Sequence, residues 1–319
     1  MPTDKTKHLD CVLKSHKISN EEDLLTKHRD KRKGVREFLL GQYGSKMYSP
    51  FDSGSYAKNT AVNTKFDFDL IAPFKRDTHS TLKDMFEEVY DLLYKEYKGE
   101  ATVRKQKVSI GIEFFTDEDG DSVKIDVVPG RELNQDQYTE DSKLNLHVSQ
   151  NYGILSEGSE RLRTNVKAQI ENIRGSADKV DIRKVTRLIK VWKINNYKNI
   201  KSFLIELITI KAFDKKSISG NTWEVLKECL EFMRDEIETI NLPDPGNSGN
   251  NVSDTLTDSE KSSLSYDFKY MLERIEENSD NIKTYFSANS KFPCEEDSEK
   301  GKYGIKTAAA TVPPSTRFG

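Results

Sequence analysis

The chain has 319 residues, with 50 Lys and Arg against 53 Asp and Glu and a net charge of −3. That length holds one large domain or two small ones sharing a cleft. The balanced charge excludes a protein that coats nucleic acid non-specifically, which needs a marked basic excess, but leaves room for a local basic pocket.

The N-terminal MPTDKTKHLD has no apolar h-region, and no run reaches ~18 apolar residues. The expectation is a cytoplasmic protein with no signal peptide and no membrane association. Cys11, Cys229 and Cys294 form no CxxC pair, and an odd count suits no disulfide framework. Isolated reduced thiols are expected. No Cys/His spacing resembles a zinc site.

Ser19-Asn20-Glu21-Glu22 reads as a capping box opening a long charged helix that runs to about Gln42 and stops at Gly44. Residues 48–60, YSPFDSGSYAKNT, are loop chemistry. In KFDFDLIAPF, 65–74, Phe66, Phe68 and Leu70 alternate with Asp67 and Asp69, the period of a strand with one apolar face. Ser80–Tyr97 reads as an amphipathic helix closed by Gly99. Val108, Ile110, Ile112 and Phe114 form a second strand. The turn DEDGD, Asp117–Asp121, pairs it with SVKIDVV as a hairpin. DEDGD lacks the remaining calcium-loop spacing and reads as a solvated tip.

From about Ser156 the pattern is helical, over 159–173, 178–197, 202–214, 220–240 and 258–288. Thr257–Glu260 forms a second capping box. NLPDPGNSGNNVSD, 241–254, reads as a structured loop. The expected organisation is α+β. Residues 1–155 carry an N-terminal helix and an α/β lobe, 156–292 a helical lobe packed against it, and 293–319 a flexible tail.

Asp67 and Asp69 lie at i and i+2 on one strand face, with the phenylalanines and Leu70 on the other. Val123, Ile125 and Val127 bury one face of their strand and leave Asp126 on the opposite one. If the two strands are neighbours, three like charges meet, an arrangement that makes sense around cations. Carboxylate oxygens suit Mg²⁺ or Mn²⁺, and two such ions ~3.5–4 Å apart serve in-line phosphoryl transfer. Gly54-Ser55 offers backbone N–H groups and a hydroxyl as a phosphate cradle, with Lys58 and Lys65 adding positive charge. The alternatives are a DxD pair on a solvated strand face and an ordinary Gly-Ser turn.

The string GSYAKNTAVNTKFDFDLIAPF, followed by KIDVVPGRE, resembles the nucleotidyltransferase superfamily, whose signature is GS, a spacer, DxD and a third Asp on a later strand. RLIKVWKINNYKNIKSFLIELITIKAF and PDPGNSGNNV are similar to segments of the oligoadenylate synthases and the cGAS/DncV-like cyclic-oligonucleotide synthases. The similarity runs from about Ser53 to Asp254. It departs at Ser248, where the family often has Pro, and in the phenylalanines beside the acids.

The resemblance implies a bilobed, polymerase-beta-like nucleotidyltransferase fold, a small mixed sheet lobe packed on a helical lobe. It implies that Asp67, Asp69 and Asp126 hold two Mg²⁺ (or Mn²⁺) ions, with Asp126 helping to activate the acceptor hydroxyl. Gly54 and Ser55 would bind donor phosphates, Lys190 and Ser202 the triphosphate, and Phe203 would stack on the base. Two further readings stand: Lys190 as a snorkelling surface lysine, and Phe203 as simple core.

The implied function is a bacterial synthase joining nucleoside triphosphates, ATP among them, into a cyclic di- or trinucleotide second messenger for anti-phage defence. The competing acceptors are a linear oligoadenylate, an RNA end, a small molecule or a protein. A degenerate nucleotide-binding fold is disfavoured because all three acids are present. The resemblance also implies partners: ubiquitin-like conjugation enzymes that attach such synthases through the C-terminal residue, here Gly319. The other reading of the tail is a disordered end.

Overall fold

The computed structural model describes residues 2–64, 68–149 and 161–294. Helices α1 (Lys5–Ser15) and α2 (Glu22–Tyr43) lead into β1 (Phe51–Ser53), the single turn α3 (Gly54–Ala57), β2 (Phe68–Phe74) and α4 (Leu82–Tyr97). Then come β3 (Ala101–Lys105), β4 (Ile110–Phe114), β5 (Lys124–Glu132), α5 (Tyr138–Asp141), β6 (Leu144–His147) and β7 (Arg161–Thr164). Helices α6 (Val166–Arg174), α7 (Lys179–Asn195), α8 (Ser202–Lys215) and α9 (Thr222–Glu236) follow. The hairpin β8 (Pro243–Asp244) and β9 (Asn247–Asn251), then α10 (Asp258–Glu277) and α11 (Ile282–Tyr285), complete the described chain.

The sheet runs β1-β2-β5-β4-β3, with β6 also on β5 and β7 on β6. β5 is the centre. It pairs with β2 in parallel along one edge, and with β4 and then β6 antiparallel along the other. A parallel strand between covered faces must be apolar on both sides. Leu70, Ala72 and Phe74 pack with Ile125, Val127 and the inner faces of α2 and α4. Ile71 and Val128 take the opposite face, against Ala57, Val166 and Ile170. Each fully buried side chain of this size contributes about 1.5–3 kcal/mol. A separate core joins α7 to α10, and Leu9 and Val12 of α1 belong to it.

Several elements differ from the sequence reading, each for a local reason. Ser19 does not open α2: Ile18–Asn20 is a 3₁₀ turn, and Glu21 stands at the N-cap without a side-chain cap. Competing partners hold that segment, since Asn20 Nδ2 donates to the Lys14 and Ser15 carbonyls and Lys291 Nζ donates to the Glu21 carboxylate. The helix expected over 159–173 contains β7, which pairs with β6; Asn165 then starts α6 by accepting from the Ala168 N–H. The 258–288 helix ends at Glu277, because Asn278 turns its side chain to the Asp280 N–H. β3 is an additional strand, antiparallel to β4.

The DEDGD tip is exposed, as expected, and its acids also gather around one lysine. Lys27 Nζ lies 2.7 Å from Asp117, 2.7 Å from Asp119 and 2.8 Å from Asp121. An ammonium group thus sits among carboxylates whose oxygens lie within 4.8 Å of one another.

The cysteine reading is corrected too. Cys11 and Cys294 form a disulfide across 283 positions, while Cys229 is a buried free thiol. Sequence spacing carried no sign of this pairing, which follows from tertiary packing. His8 and His16 donate from Nε2 to the Phe286 and Ser287 carbonyls, and so hold α1 against the segment after α11. The proposed boundary near 155 lies outside the described residues, as do 295–319 of the tail, Gly319 included.

Thr257 and Glu260 do form the expected reciprocal cap. Thr257→Ala is expected to lower stability by about 1 kcal/mol, read as a lower urea midpoint with an unchanged denaturant slope. An unmoved midpoint would show that the cap contributes nothing.

Candidate active site

Strand register sets the acids. Ser53 faces Asp69 across β1–β2, Asp69 faces Asp126 across the parallel β2–β5 pair, and Asp126 faces Gly111 across β4–β5. Directly paired residues project from the same face on strands ~4.8 Å apart. The two carboxylates therefore stand side by side, on the face they share with buried Ile71 and Val128.

Two glycines make room for them. A Cβ on Gly54, whose φ is +63°, would come 1.8 Å from Asp69 Oδ2. A Cβ on Gly111 would come 2.4 Å from Gln106 Nε2. With that space open, Gln106 Nε2 donates to Asp126 Oδ1 at 2.9 Å, and Ser109 Oγ donates to Gln106 Oε1 at 2.8 Å. This chain of hydrogen bonds orients the Asp126 carboxylate, as outer partners orient metal ligands elsewhere. Adjacent carboxylates repel unless a cation neutralises them, and their hard oxygens suit Mg²⁺ or Mn²⁺. Asp69 and Asp126 thus fit a divalent cation. Asp67 lies outside the described residues.

After Gly54 the chain completes α3 and presents four successive carbonyls, each of which receives a cation. Arg174 Nη2 donates to Ala57 at 2.7 Å, Arg183 Nε to Lys58 at 3.0 Å, Arg187 Nη1 to Asn59 at 3.2 Å and Lys190 Nζ to Thr60 at 2.7 Å. Arg183, Arg187 and Lys190 share one face of α7 by their i, i+4, i+7 spacing. Asn59 turns with φ +58°, which an Asn tolerates.

A cavity of about 650 Å³ opens between this turn and the α7–α8 pair. Gly54, Ser55, Asp69, Lys190, Ser202 and Phe203, all singled out from sequence, line it together. Asp126 is not in its lining and stands beside Asp69 on the sheet. Lys190 is no snorkelling surface lysine, being only 6% exposed. Burial pushes its ammonium down to about 8; Glu206 opposes the shift, and Lys193, Lys58 and Arg187 add to it. Ser202 opens α8, and its Oγ lies 3.4 Å from Lys193 Nζ. Phe203 packs partly against the helical core while also lining the cavity, and Lys58 Nζ sits 4.4 Å from its ring centroid.

Sequence reasoning missed Glu206, Lys193, Tyr197 and Lys198, which also line the cavity. Glu206 is buried and accepts from Lys58 Nζ at 2.7 Å. Burial raises its carboxyl, against the pull of Lys58 and Lys190. A lone acid inside the apolar run SFLIELITI was a legible sign, because such a charge needs a partner. Lys193 and Tyr197 follow Lys190 at i+3 and i+7, which was legible once Lys190 was placed.

The family model described as the Second Messenger Oligonucleotide or Dinucleotide Synthetase domain matches residues 5–145. No curated protein matches the chain in a sequence comparison. Among solved structures, CdnG from Bradyrhizobium diazoefficiens in complex with GTP superposes with TM-score 0.70 at 12% identity, covering 90% of this chain and 96% of that one. CdnC from E. coli MS115-1 with ATP gives 0.63 at 20%, covering 84% and 93%. The Vibrio cholerae DncV cyclic AMP-GMP synthase with the linear intermediate 5′ pppA(3′,5′)pG gives 0.60 at 14%, covering 76% and 70%. Residues 5–145 thus match the model of a second-messenger synthetase domain, and the chain shares the fold of these solved CdnG, CdnC and DncV structures.

Proposed function

We propose that the protein joins nucleoside triphosphates, ATP among them, into a cyclic di- or trinucleotide second messenger used in anti-phage defence, releasing pyrophosphate. The observation that carries this reading is the single cavity that gathers Gly54, Ser55, Asp69, Lys190, Ser202 and Phe203. Asp69 and Asp126, with Asp67 by resemblance, would hold two divalent cations, which neutralise charge on attacking and leaving oxygens when bound. Ser55, in α3, lines the cavity with Asp69 and would donate to a donor phosphate. Lys190 supplies a cation at the same turn, and Ser202 a hydroxyl across the cavity. Phe203 offers a ring face to the base. Orientation of the donor against the acceptor hydroxyl is what such residues contribute to rate.

Product analysis is the direct test. Mass spectrometry of products from mixed ATP, GTP, CTP and UTP with Mg²⁺ should show a cyclic di- or trinucleotide. Only linear oligomers, or transfer to an added RNA, small molecule or protein, would assign the other acceptor class. Asp69→Asn should lower the rate by about 10³-fold or more while the fold is retained. Activity within tenfold of wild type would remove Asp69 from the mechanism.

Lys190 gives a pH signature. Its folded value of about 8 lies below the ordinary 10.5. The cation is therefore present below pH 8 and is lost as pH rises through it, so donor KM should rise about tenfold between pH 7 and 9. Lys190→Arg keeps the charge throughout and should flatten that rise. The same depression makes the charged form costly in the fold below about pH 8. Lys190's contribution to stability should thus improve as pH climbs from 8 towards 10.5. A KM independent of pH in both proteins would take Lys190 out of donor binding.

The tail carries a second part of the proposal, on sequence alone. Gly319 at the end of a Pro-containing segment suits threading into a conjugating enzyme. Gly319→Glu should spare synthesis by the purified enzyme and abolish high-mass adducts in cells holding cognate ubiquitin-like conjugation enzymes. Persistent adducts would leave the tail without that role.

A further inference from the structure

Tyr197 sits where a tyrosine is poorly suited. It follows the Asn196 C-cap of α7 with φ +51°. Its N–H donates to the Ile194 carbonyl at 3.3 Å, and the Lys198 N–H donates to Lys193 at 2.9 Å. Those two bonds are the Schellman pair, whose left-handed residue is usually Gly, sometimes Asn. Among the described residues, the other positive-φ residues that are not glycine are Asn59, Asp136 and Ser142, all small and polar. A bulky ring there is the exception and raises the backbone energy. The next residue is tied to α10, where Lys198 Nζ lies 2.5 Å from Asp267 Oδ2.

Core packing offers no return for this strain, since Tyr197 is 95% exposed. Yet it lines the mouth of the cavity that holds Ser55, Lys190 and Phe203. Strained residues that persist at a binding cleft point to function there. We propose that Tyr197 is a substrate-contacting residue, its ring stacking on the base of a nucleoside triphosphate at the cavity mouth. The inference rests on the nucleotide-binding reading above and adds a residue to it. An exposed aromatic face takes any base, so the contact adds affinity more than base choice.

Two effects with opposite signs make the test sharp. Tyr197→Gly and Tyr197→Asn relieve the backbone and remove the ring; Tyr197→Phe keeps the ring. Binding of non-hydrolysable ATP and GTP analogues with Mg²⁺ is measured by calorimetry, alongside melting temperature. Expected for Gly and Asn is a Kd about tenfold weaker, with a melting temperature equal to wild type or higher, and for Phe a Kd within twofold. Gly and Asn variants binding within twofold of wild type would overturn the proposal. So would a Gly variant that loses stability and affinity together, which would make the ring structural. If the wild-type chain binds neither analogue, the nucleotide-binding reading itself fails, and this one with it.

Discussion

Four hydrogen bonds from cations to the carbonyls of residues 57–60 join the two parts of the molecule where the site is built. The donors lie on α6 and α7, and the acceptors on the turn that leaves β1 and α3. Hydrogen bonds to charged groups are the stronger kind, and an unpaired buried carbonyl is costly. Losing the buried Lys190–Thr60 bond would therefore leave both a desolvated cation and an orphaned acceptor. The turn bearing Ser55 is thereby set by the helical lobe, while the strand bearing Asp69 is set by the sheet. Gly54 lies between the two, and its missing side chain is the space that Asp69 occupies.

How much of this was legible follows from what leaves a trace in side-chain pattern. The alternation of Phe68, Asp69 and Leu70 announced a strand with acids on one face, and the burial of Phe68 and Leu70 bears it out. The neighbouring position of Asp126 was only conditional, because register depends on which strands pair and in what direction. The clamp on residues 57–60 was invisible, since its acceptors are backbone carbonyls that every residue carries. Only the basic residues at 183, 187 and 190 hinted at it, and such spacing more often marks a solvated helix face.

Local signals failed where tertiary partners outbid them. The Ser19 and Thr257 boxes look alike in sequence, yet only the second forms. Around Ser19, Asn20 is drawn to the end of α1 and Glu21 to Lys291, a residue 270 positions away. The same long-range closure brings Cys11 to Cys294. β7 escaped notice for a related reason: RLRT has little β character of its own and is a strand because β6 offers an edge to pair with.

The cavity also resolves an electrostatic tension. On the proposed function, a chain with net charge −3 would hold a highly charged anion. Inside the cavity, Glu206 makes its direct bond to Lys58, whereas Lys190 donates to a neutral carbonyl. Among the buried groups Lys58, Lys190 and Glu206, the one glutamate faces two lysines, and it opposes the effect of burial on Lys190 only partly. A buried cation so placed is costly for the fold and favourable for an arriving phosphate. The depressed Lys190 and the strained Tyr197 are in this sense alike: each costs the unliganded fold free energy, and a bound nucleotide would recover it.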